Sequence, residues 1–171
     1  MSGNSRVLTL IRHAKSSWDD ASISDFDRPL NDRGQRDAPE MARRLAERRE
    51  YPDCFMASSA RRARETALVL AQGVGFPEAD IHFERSLYLA DTHRLLNTIQ
   101  RLPDRVRDVW LVGHNPDLTD LANLLAGPHT DNLPTCAVFR MEFGDVTWHD
   151  IQPGSGRLLV YDTPKKPWQA T

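Results

Sequence analysis

The sequence predicts an α/β fold, a sandwich built on a mainly parallel β-sheet. One observation supports the fold class, and a second bears on the number of domains. Short apolar runs alternate along the chain with longer segments whose apolar residues recur every three or four positions, the period of an α-helix. The chain has 171 residues, no internal repeat and no linker, so we expect one domain that buries about two thirds of its unfolded surface.

The first strand is predicted over residues 7–11, a run in which every residue is apolar or β-branched. Such a run, without alternating polar residues, is typical of a strand buried on both faces of a parallel sheet. Residues 35–49 repeat apolar side chains at helical spacing under a charged face, and Asn31 is placed to cap this amphipathic helix. The chain is therefore expected to begin with a β-strand and an α-helix.

A second strand is predicted over residues 53–57 and a second helix over residues 60–72. Gly73 and Gly75 are expected to stop that helix, because glycine is common just beyond a helix C-terminus. A third, shorter strand is predicted over residues 81–83. The alternation of strand and helix thus repeats, as it does in folds with a parallel sheet.

The same alternation continues through the middle of the chain. A third helix is predicted to begin at Asp91 or Thr92 and to end before Pro103. The run at residues 108–113, apolar after Asp108, predicts the fourth strand, and a leucine-rich helix over residues 118–125 follows it.

The C-terminal part of the chain is predicted to add antiparallel strands. Residues 137–143 and 146–151 flank a glycine–aspartate turn and are expected to form a hairpin, and residues 158–161 a last short strand. The domain is therefore expected to span residues 1–163, with residues 164–171 as a loose tail.

Composition argues against several classes of partner and location. The chain has 22 basic and 24 acidic residues, which gives no reason to expect a nucleic acid or an anionic membrane as partner. No apolar run is long enough to span a bilayer, and residues 1–6 lack the apolar region of a signal peptide. The two cysteines have no metal-binding spacing and are typical of free thiols in a reducing compartment. We therefore expect a cytoplasmic protein.

Charged and polar side chains follow three of the predicted strands, at the point where each strand ends. Arg12 and His13 follow the first strand, residues 58–62 follow the second, and His114 with Asn115 follows the fourth. The carboxyl ends of parallel strands lie along one edge of the sheet, where ligands bind in open α/β sheets. We therefore expect two histidines and at least two arginines to converge on one pocket.

These residue types suit phosphoryl chemistry. Arginine presents a fixed fork of donors that matches phosphate oxygens and remains charged at any useful pH. Neighbouring cations lower the pKa of a histidine, which leaves a ring nitrogen unprotonated and able to attack phosphorus. Composition does not decide whether Arg61 or Arg62 points inward. A metal site formed by His13 and His114 is disfavoured, because arginines in the same pocket would repel a cation.

Four segments of the chain, taken in order, resemble the histidine phosphatase superfamily, and specifically its short SixA-like phosphohistidine phosphatases. They are LIRHAKS (residues 10–16), RPLNDRG (28–34), SSARRARET (58–66) and VGHNP (112–116). The resemblance implies a three-layer α/β/α sandwich of the phosphoglycerate mutase type, in a minimal form without a large lid insertion. It also implies that the site needs no metal or other cofactor.

By this resemblance His13 is the nucleophile that becomes transiently phosphorylated. The residues that bind the phosphoryl group are Arg12, Arg62 and His114, the last in its protonated form. Arg62, rather than its neighbour Arg61, matches the family's Ser-x-x-x-Arg-Ala spacing. Such a cluster of positive charge would neutralise the equatorial oxygens of the transferred group.

The chain departs from the family where larger members carry a glutamate acid and an inserted lid. Residues 87–90 contain no carboxylate, and only Glu84 and Asp91 flank them. Either could act as general acid, and Asp91 could also bind substrate, although a turn or a helix cap is the more ordinary role for each. Ser16 and Ser17 are further candidates for binding phosphate, with a solvated turn as the alternative.

The absence of an evident acid favours one class of substrate. An imidazole leaving group on a P–N bond needs less help from an acid than an alkoxide does, so phosphohistidine suits this site. The expected function is a metal-independent phosphatase that hydrolyses phosphohistidine on a phosphorylated protein through an intermediate on His13. The alternatives are a small-molecule phosphomonoesterase with the same intermediate and a phosphate-binding module without turnover.

Overall fold

The computed structural model of the chain describes residues 3–170. The predicted domain, residues 1–163, and the predicted tail, residues 164–171, extend beyond these bounds at Met1, Ser2 and Thr171. Both of those boundaries therefore stay predictions.

Within residues 3–170 the chain forms six strands and four α-helices. The strands are β1 (Val7–Arg12), β2 (Cys54–Ser58), β3 (His82–Glu84), β4 (Asp108–Gly113), β5 (Val138–Glu142) and β6 (Arg157–Asp162). The helices are α1 (Asp32–Glu47), α2 (Arg61–Val74), α3 (Thr92–Gln100) and α4 (Asp117–Ala126). Strands and helices alternate as far as α4, as the sequence predicts.

The strands form a single sheet in the order β3-β2-β4-β1-β5-β6. The first four strands along the chain pair with one another in parallel, whereas β5 runs antiparallel to both β1 and β6. This arrangement confirms the predicted mainly parallel sheet with an antiparallel addition near the C-terminus.

Helices cover both faces of this sheet and give the protein three layers. Along β4, Val109 and Leu111 point into a core shared with α3 and α4, while Trp110 and Val112 point into a core shared with α1 and α2. Because successive side chains of a strand face opposite sides, a strand between two cores needs a side chain that can be buried at nearly every position. This explains the unbroken apolar runs in the sequence and confirms the three-layer α/β/α sandwich.

The predicted hairpin is wrong in its second half, residues 146–151. After β5 the chain turns at Gly144 and then buries Trp148, whose indole Nε1 donates a hydrogen bond of 2.7 Å to the carbonyl oxygen of Val106. Burying so large a side chain with its N–H satisfied stabilises an irregular path here. The antiparallel partner of β5 is instead β6.

The predicted end of the second helix is also wrong by two residues. Helix α2 continues through Gly73 to Val74, and its C-cap, Gly75, has the left-handed φ of 80° typical of that position. Gly73 lies where α2 passes α1, and a Cβ atom added there would lie 2.5 Å from the Cβ of Ala42. Glycine therefore permits the close approach of the two helices.

None of the helices in the described part of the chain is long and apolar enough to cross a membrane. Cys54 and Cys136 are both free cysteines, the first partly buried and the second fully buried. The cytoplasmic location stays a prediction.

The contact at Gly73 leads to a stability prediction. In an ordinary helix, Gly→Ala stabilises by about 1 kcal/mol, but Gly73→Ala should destabilise the protein by about 1–3 kcal/mol because the added methyl overlaps Ala42. Urea denaturation measures the change. The matched control is Gln72→Ala at the exposed neighbouring position, which should stay within about 0.5 kcal/mol of wild type. A Gly73→Ala protein as stable as wild type would contradict the close helix approach.

Candidate active site

The site lies at the carboxyl ends of three neighbouring strands, β2, β4 and β1. In the parallel pairing of β1 with β4, Arg12 lies opposite Gly113, so the residues that follow each strand meet at the same edge. His13 and His114 are those residues, and their ring centroids are 5.2 Å apart. The structure thus brings together the two histidines that the sequence placed at separate strand ends.

His13 is held as a neutral imidazole. Its Nδ1 lies 2.7 Å from the carbonyl oxygen of Ala14, and because a carbonyl can only accept, Nδ1 carries the proton and Nε2 keeps its lone pair. Burial lowers the pKa of His13 well below its usual value of 6.5 and outweighs the opposing effect of this hydrogen bond. The His114 ring and two nearby arginines lower the pKa further. His13 is therefore equipped to act as a nucleophile.

The imidazole ring of His114 is held in place by a hydrogen bond at its Nε2 atom. Its Nε2 lies 2.8 Å from the hydroxyl oxygen of Ser58, which is buried at the end of β2 and also accepts the backbone N–H of Ala60. Burial, followed by the charge of Arg62, lowers the pKa of His114 to about 4. His114 is therefore neutral near pH 7 in this environment, in contrast to the protonated form expected from the sequence. A phosphoryl dianion beside it would raise this pKa.

Arg12 and Arg62 bring positive charge to the same edge of the sheet. Arg12 is partly buried and donates from Nη1 to the carbonyl oxygen of Leu133 at 2.8 Å. Arg62 is buried at the start of α2, whereas its neighbour Arg61 is exposed and pairs with Glu65 at 2.8 Å. Of the two arginines that composition left undecided, Arg62 is thus the one that points inward.

Asp25 supplies a carboxylate that was not among the site residues predicted from the sequence. Arg62 donates from Nη1 to the Asp25 carbonyl oxygen at 2.6 Å and from Nη2 to its carboxylate at 3.1 Å. The same carboxylate accepts from the Tyr88 hydroxyl at 2.5 Å and from the Arg28 guanidinium at 3.0 Å. The Tyr88 hydrogen bond and the nearby Arg62 charge, with other polar contacts, lower the pKa of Asp25 to about 2 despite the opposing effect of burial. Asp25 is therefore ionised at neutral pH and orients Arg62.

Tyr88 connects this carboxylate to the histidines. Its ring lies edge-on to His114, with centroids 5.7 Å apart, and packs against Phe26 at 5.0 Å. Tyr88 belongs to residues 87–90, the segment without a carboxylate of its own. The carboxylate beside Tyr88 is therefore supplied by Asp25, from a distant part of the chain. In the sequence, only the Asp25–Arg28 spacing points to this carboxylate, and it does so weakly, because such pairs are common on exposed turns.

The remaining candidates lie in different surroundings. Ser16 is buried, and its hydroxyl accepts from Arg28 Nη1 at 2.7 Å, a nitrogen that also donates to the carbonyl oxygen of Ser17 at 3.2 Å. Asp91 is the N-cap of α3 and accepts from the backbone N–H of Arg94 at 2.8 Å. Ser16 and Ser17 thus belong to the cluster around Arg28, whereas Asp91 occupies the capping position that was weighed as its alternative.

The start of α1 fixes the loop that carries His13. The carbonyl oxygen of Lys15 accepts the backbone N–H of Asn31 at 2.9 Å, and the Asn31 side chain caps α1 at the N–H of Gly34. A Cβ atom at Gly34 would lie 2.2 Å from that same Lys15 oxygen. Asn31 and Gly34 therefore allow α1 to pack directly on the loop.

Together these residues place the neutral, buried imidazole of His13 beside the guanidinium groups of Arg12 and Arg62. This combination can attack a phosphoryl group and stabilise the negative charge on its oxygens. Within residues 3–170, no group of three or more His, Cys, Asp or Glu side chains is arranged to hold a metal ion.

Comparison with models of protein families matches residues 8–89 to the histidine phosphatase superfamily (branch 1). Two uncharacterised relatives extend the similarity over most of the chain. A chloroplastic protein of Arabidopsis thaliana is 37% identical over 162 residues, which cover 89% of this chain and 73% of the relative. A protein of Mycobacterium tuberculosis is 30% identical over 165 residues, which cover 91% of this chain and 100% of the relative.

Solved structures share the fold. A candidate phosphohistidine phosphatase SixA from Agrobacterium tumefaciens is 27% identical, with a TM-score of 0.81 over 93% of this chain and 98% of that chain. The protein histidine phosphatase SixA complexed with tungstate is 21% identical, with a TM-score of 0.78 over 93% of this chain and 97% of that chain. At that lower identity the second likeness concerns the fold alone.

The pKa of His114 predicts how stability depends on pH. Because its pKa is about 4 in the folded chain and 6.5 in an ordinary environment, the unfolded state binds more protons between these values. Through His114 alone, stability should therefore fall by about 2–3 kcal/mol as the pH is lowered from about 7 to about 4.5, and urea denaturation measures the loss. His13, whose pKa is also lowered, adds to the loss in the same direction.

His114→Gln tests the assignment, because the variant lacks this titration and should lose about 2 kcal/mol less over the same pH range. The matched control is His93→Gln at an exposed position of α3, which should follow wild type. Asp25, with a pKa of about 2, loses its contribution only below the range of the measurement. Identical pH dependence in His114→Gln and wild type would contradict the lowered pKa of His114.

Proposed function

Because the chain belongs to the histidine phosphatase superfamily and is SixA-like, we propose that this phosphatase hydrolyses phosphohistidine on a protein, without a metal, through an intermediate on His13. The observation that most supports this proposal is the hydrogen bond from His13 Nδ1 to the Ala14 carbonyl, which leaves Nε2 as a nucleophile among cations. The likeness to the candidate SixA of Agrobacterium tumefaciens supports the choice of substrate class. A cytoplasmic location is part of the proposal, in keeping with the two free cysteines.

The reaction proceeds in two displacements. His13 Nε2 attacks phosphorus in line, its new N–P bond forms, and the N–P bond to the substrate imidazole breaks. If the second nitrogen of that imidazole already carries a proton, the ring leaves as a neutral molecule and needs no acid. Arg12, Arg62 and His114 stabilise the charge on the equatorial oxygens, and water then attacks phospho-His13 to release phosphate.

The state of Asp25 favours phosphohistidine over a phosphomonoester. A phosphomonoester releases an alkoxide, which requires a proton from a nearby acid. Asp25 is the carboxylate that contacts Arg62 and Tyr88, and its pKa of about 2 leaves it without a proton to donate at neutral pH. The small-molecule phosphomonoesterase is therefore the weaker alternative. A binding module without turnover would have no use for the free lone pair on His13.

His13→Ala tests the mechanism. The variant should fold normally and still bind phosphate through its arginines, but it should lose turnover of a phosphohistidine peptide by at least about 1,000-fold, because the nucleophile is absent. Wild-type protein mixed with labelled phosphoramidate in the presence of a chelator and quenched in alkali should carry the label on His13. The matched control, His93→Ala, should keep full turnover. Unchanged turnover in His13→Ala would end this mechanism.

Asp25→Asn separates a residue that positions Arg62 from a general acid. If Asp25 orients Arg62, kcat should fall about tenfold on both a phosphohistidine peptide and a phosphomonoester, about 1.4 kcal/mol in each case. KM should not rise, since the substitution removes a negative charge near the bound anion. The matched control is Asp27→Asn at the exposed position two residues away. A loss of about 100-fold or more confined to the phosphomonoester would instead identify Asp25 as an acid.

A further inference from the structure

A groove of about 780 Å³ adjoins the active site and shares Arg12 with it. Part of its lining comes from the loop after β1 and the first turn of α1, including Lys15 and Arg33. Another part comes from the segment after β6, including Lys165 and Lys166. A molecule bound with its phosphoryl group at His13 would therefore have this groove open beside it.

The groove concentrates positive charge. The chain has only three lysines among its 22 basic residues, and all three line this groove. Its one lining carboxylate, Asp37, is paired with Arg36 at 3.3 Å. A chain with a net charge of −2 thus gathers the two arginines and three lysines of the groove in one place.

Some of these cations repel one another. Burial, and then the charge of Arg33, lowers the pKa of Arg12. Arg33 donates from Nη2 to the hydroxyl oxygen of Thr135 at 3.3 Å. That hydroxyl is neutral and cannot balance the charge of Arg33. Cations without a counter-charge, gathered beside an active site, create a positive potential that attracts an anion.

Hydrogen bonds hold the segment that carries Lys165 and Lys166. The backbones of Thr163 and Lys166 exchange hydrogen bonds of 3.3 and 3.2 Å across a tight turn. Arg44 donates to the Thr163 carbonyl oxygen at 2.9 Å, and the backbone N–H of Trp168 donates to the buried Asp162 at 3.1 Å. The two lysines are therefore presented from a defined turn.

We propose that this groove, defined by Lys15, Arg33, Lys165, Lys166 and Trp168, binds an acidic segment of the protein substrate beside its phosphohistidine. The inference rests on the proposed function and adds the chemistry of the partner surface. Lysines are point charges on flexible stems, which suit carboxylates at several positions better than the bidentate geometry of a phosphate. The groove is also far larger than a phosphoryl group. Opposite charges on two protein surfaces accelerate and orient their association.

Two phosphohistidine peptides of matched sequence test the proposal, one with four flanking Asp and Glu residues and one with Asn and Gln at the same positions. Wild-type protein should prefer the acidic peptide by about tenfold in kcat/KM at low salt, mostly through KM. The preference should shrink in about 1 M salt, where the Debye length is about 3 Å. Equal kcat/KM values for the two peptides at low salt would overturn the proposal.

Substitutions locate the preference in the groove. Lys165→Glu with Lys166→Glu should reduce the ratio of the two kcat/KM values to about one or below, because the cations become anions. Lys165→Arg with Lys166→Arg should retain it. The matched control is Arg94→Glu with Arg101→Glu, which makes the same change in net charge at exposed positions of α3 and just beyond it. A preference that survives in Lys165→Glu/Lys166→Glu, or is lost equally in the control, would contradict the groove as the binding site.

A binding measurement separates this proposal from the proposed function. Fluorescence anisotropy of the unphosphorylated acidic peptide should show weak, salt-sensitive binding to wild type that Lys165→Glu/Lys166→Glu weakens at least about fivefold. If neither phosphopeptide is hydrolysed but this binding is present, the proposed function fails and the groove stands. If both phosphopeptides are hydrolysed and the acidic peptide does not bind, the groove proposal fails and the function stands.

Discussion

The parallel pairing of β1 with β4, with Arg12 opposite Gly113, is the interaction on which the active site depends. Both strands are buried on both faces, so a slip of one residue would exchange the side chains that face the two cores. Packing therefore fixes the register of the pair. His13 and His114 follow directly after the paired residues, and the 5.2 Å separation of their rings results from that register.

The charges around His13 and His114 set the protonation state of the two rings. Arg12 and Arg62 surround the two imidazoles, and burial together with this positive charge keeps both rings neutral. Asp25 provides a counter-charge, but it contacts Arg62 rather than the histidines. The protein thus maintains an excess of positive charge where a phosphoryl group would bind, and the same charge that depresses the histidine pKa values would stabilise the transferred group.

The sequence predicted the parts of this arrangement that are encoded locally. An unbroken apolar run predicts a buried strand, and the change from apolar to charged residues predicts where that strand ends. Short segments of sequence were therefore enough to place Arg12, His13 and His114 at strand ends. Asp25 could not be found in this way. It lies in an irregular turn, and only its contacts with Arg62 and Tyr88, 37 and 63 residues away, bring it to the site.

By itself the sequence determined the α/β class, the alternation of elements as far as α4 and the strand ends that carry charged side chains, because hydrophobic period and turn residues act over a few neighbouring positions. Tertiary structure decided the order of the strands, the burial of Trp148 in place of a second hairpin strand and the inward direction of Arg62. It also decided that Lys15 and Lys165 face one groove. Each of these depends on which distant surfaces pack together, and the free energy of that packing comes from burying apolar area across the whole sheet rather than from any one segment.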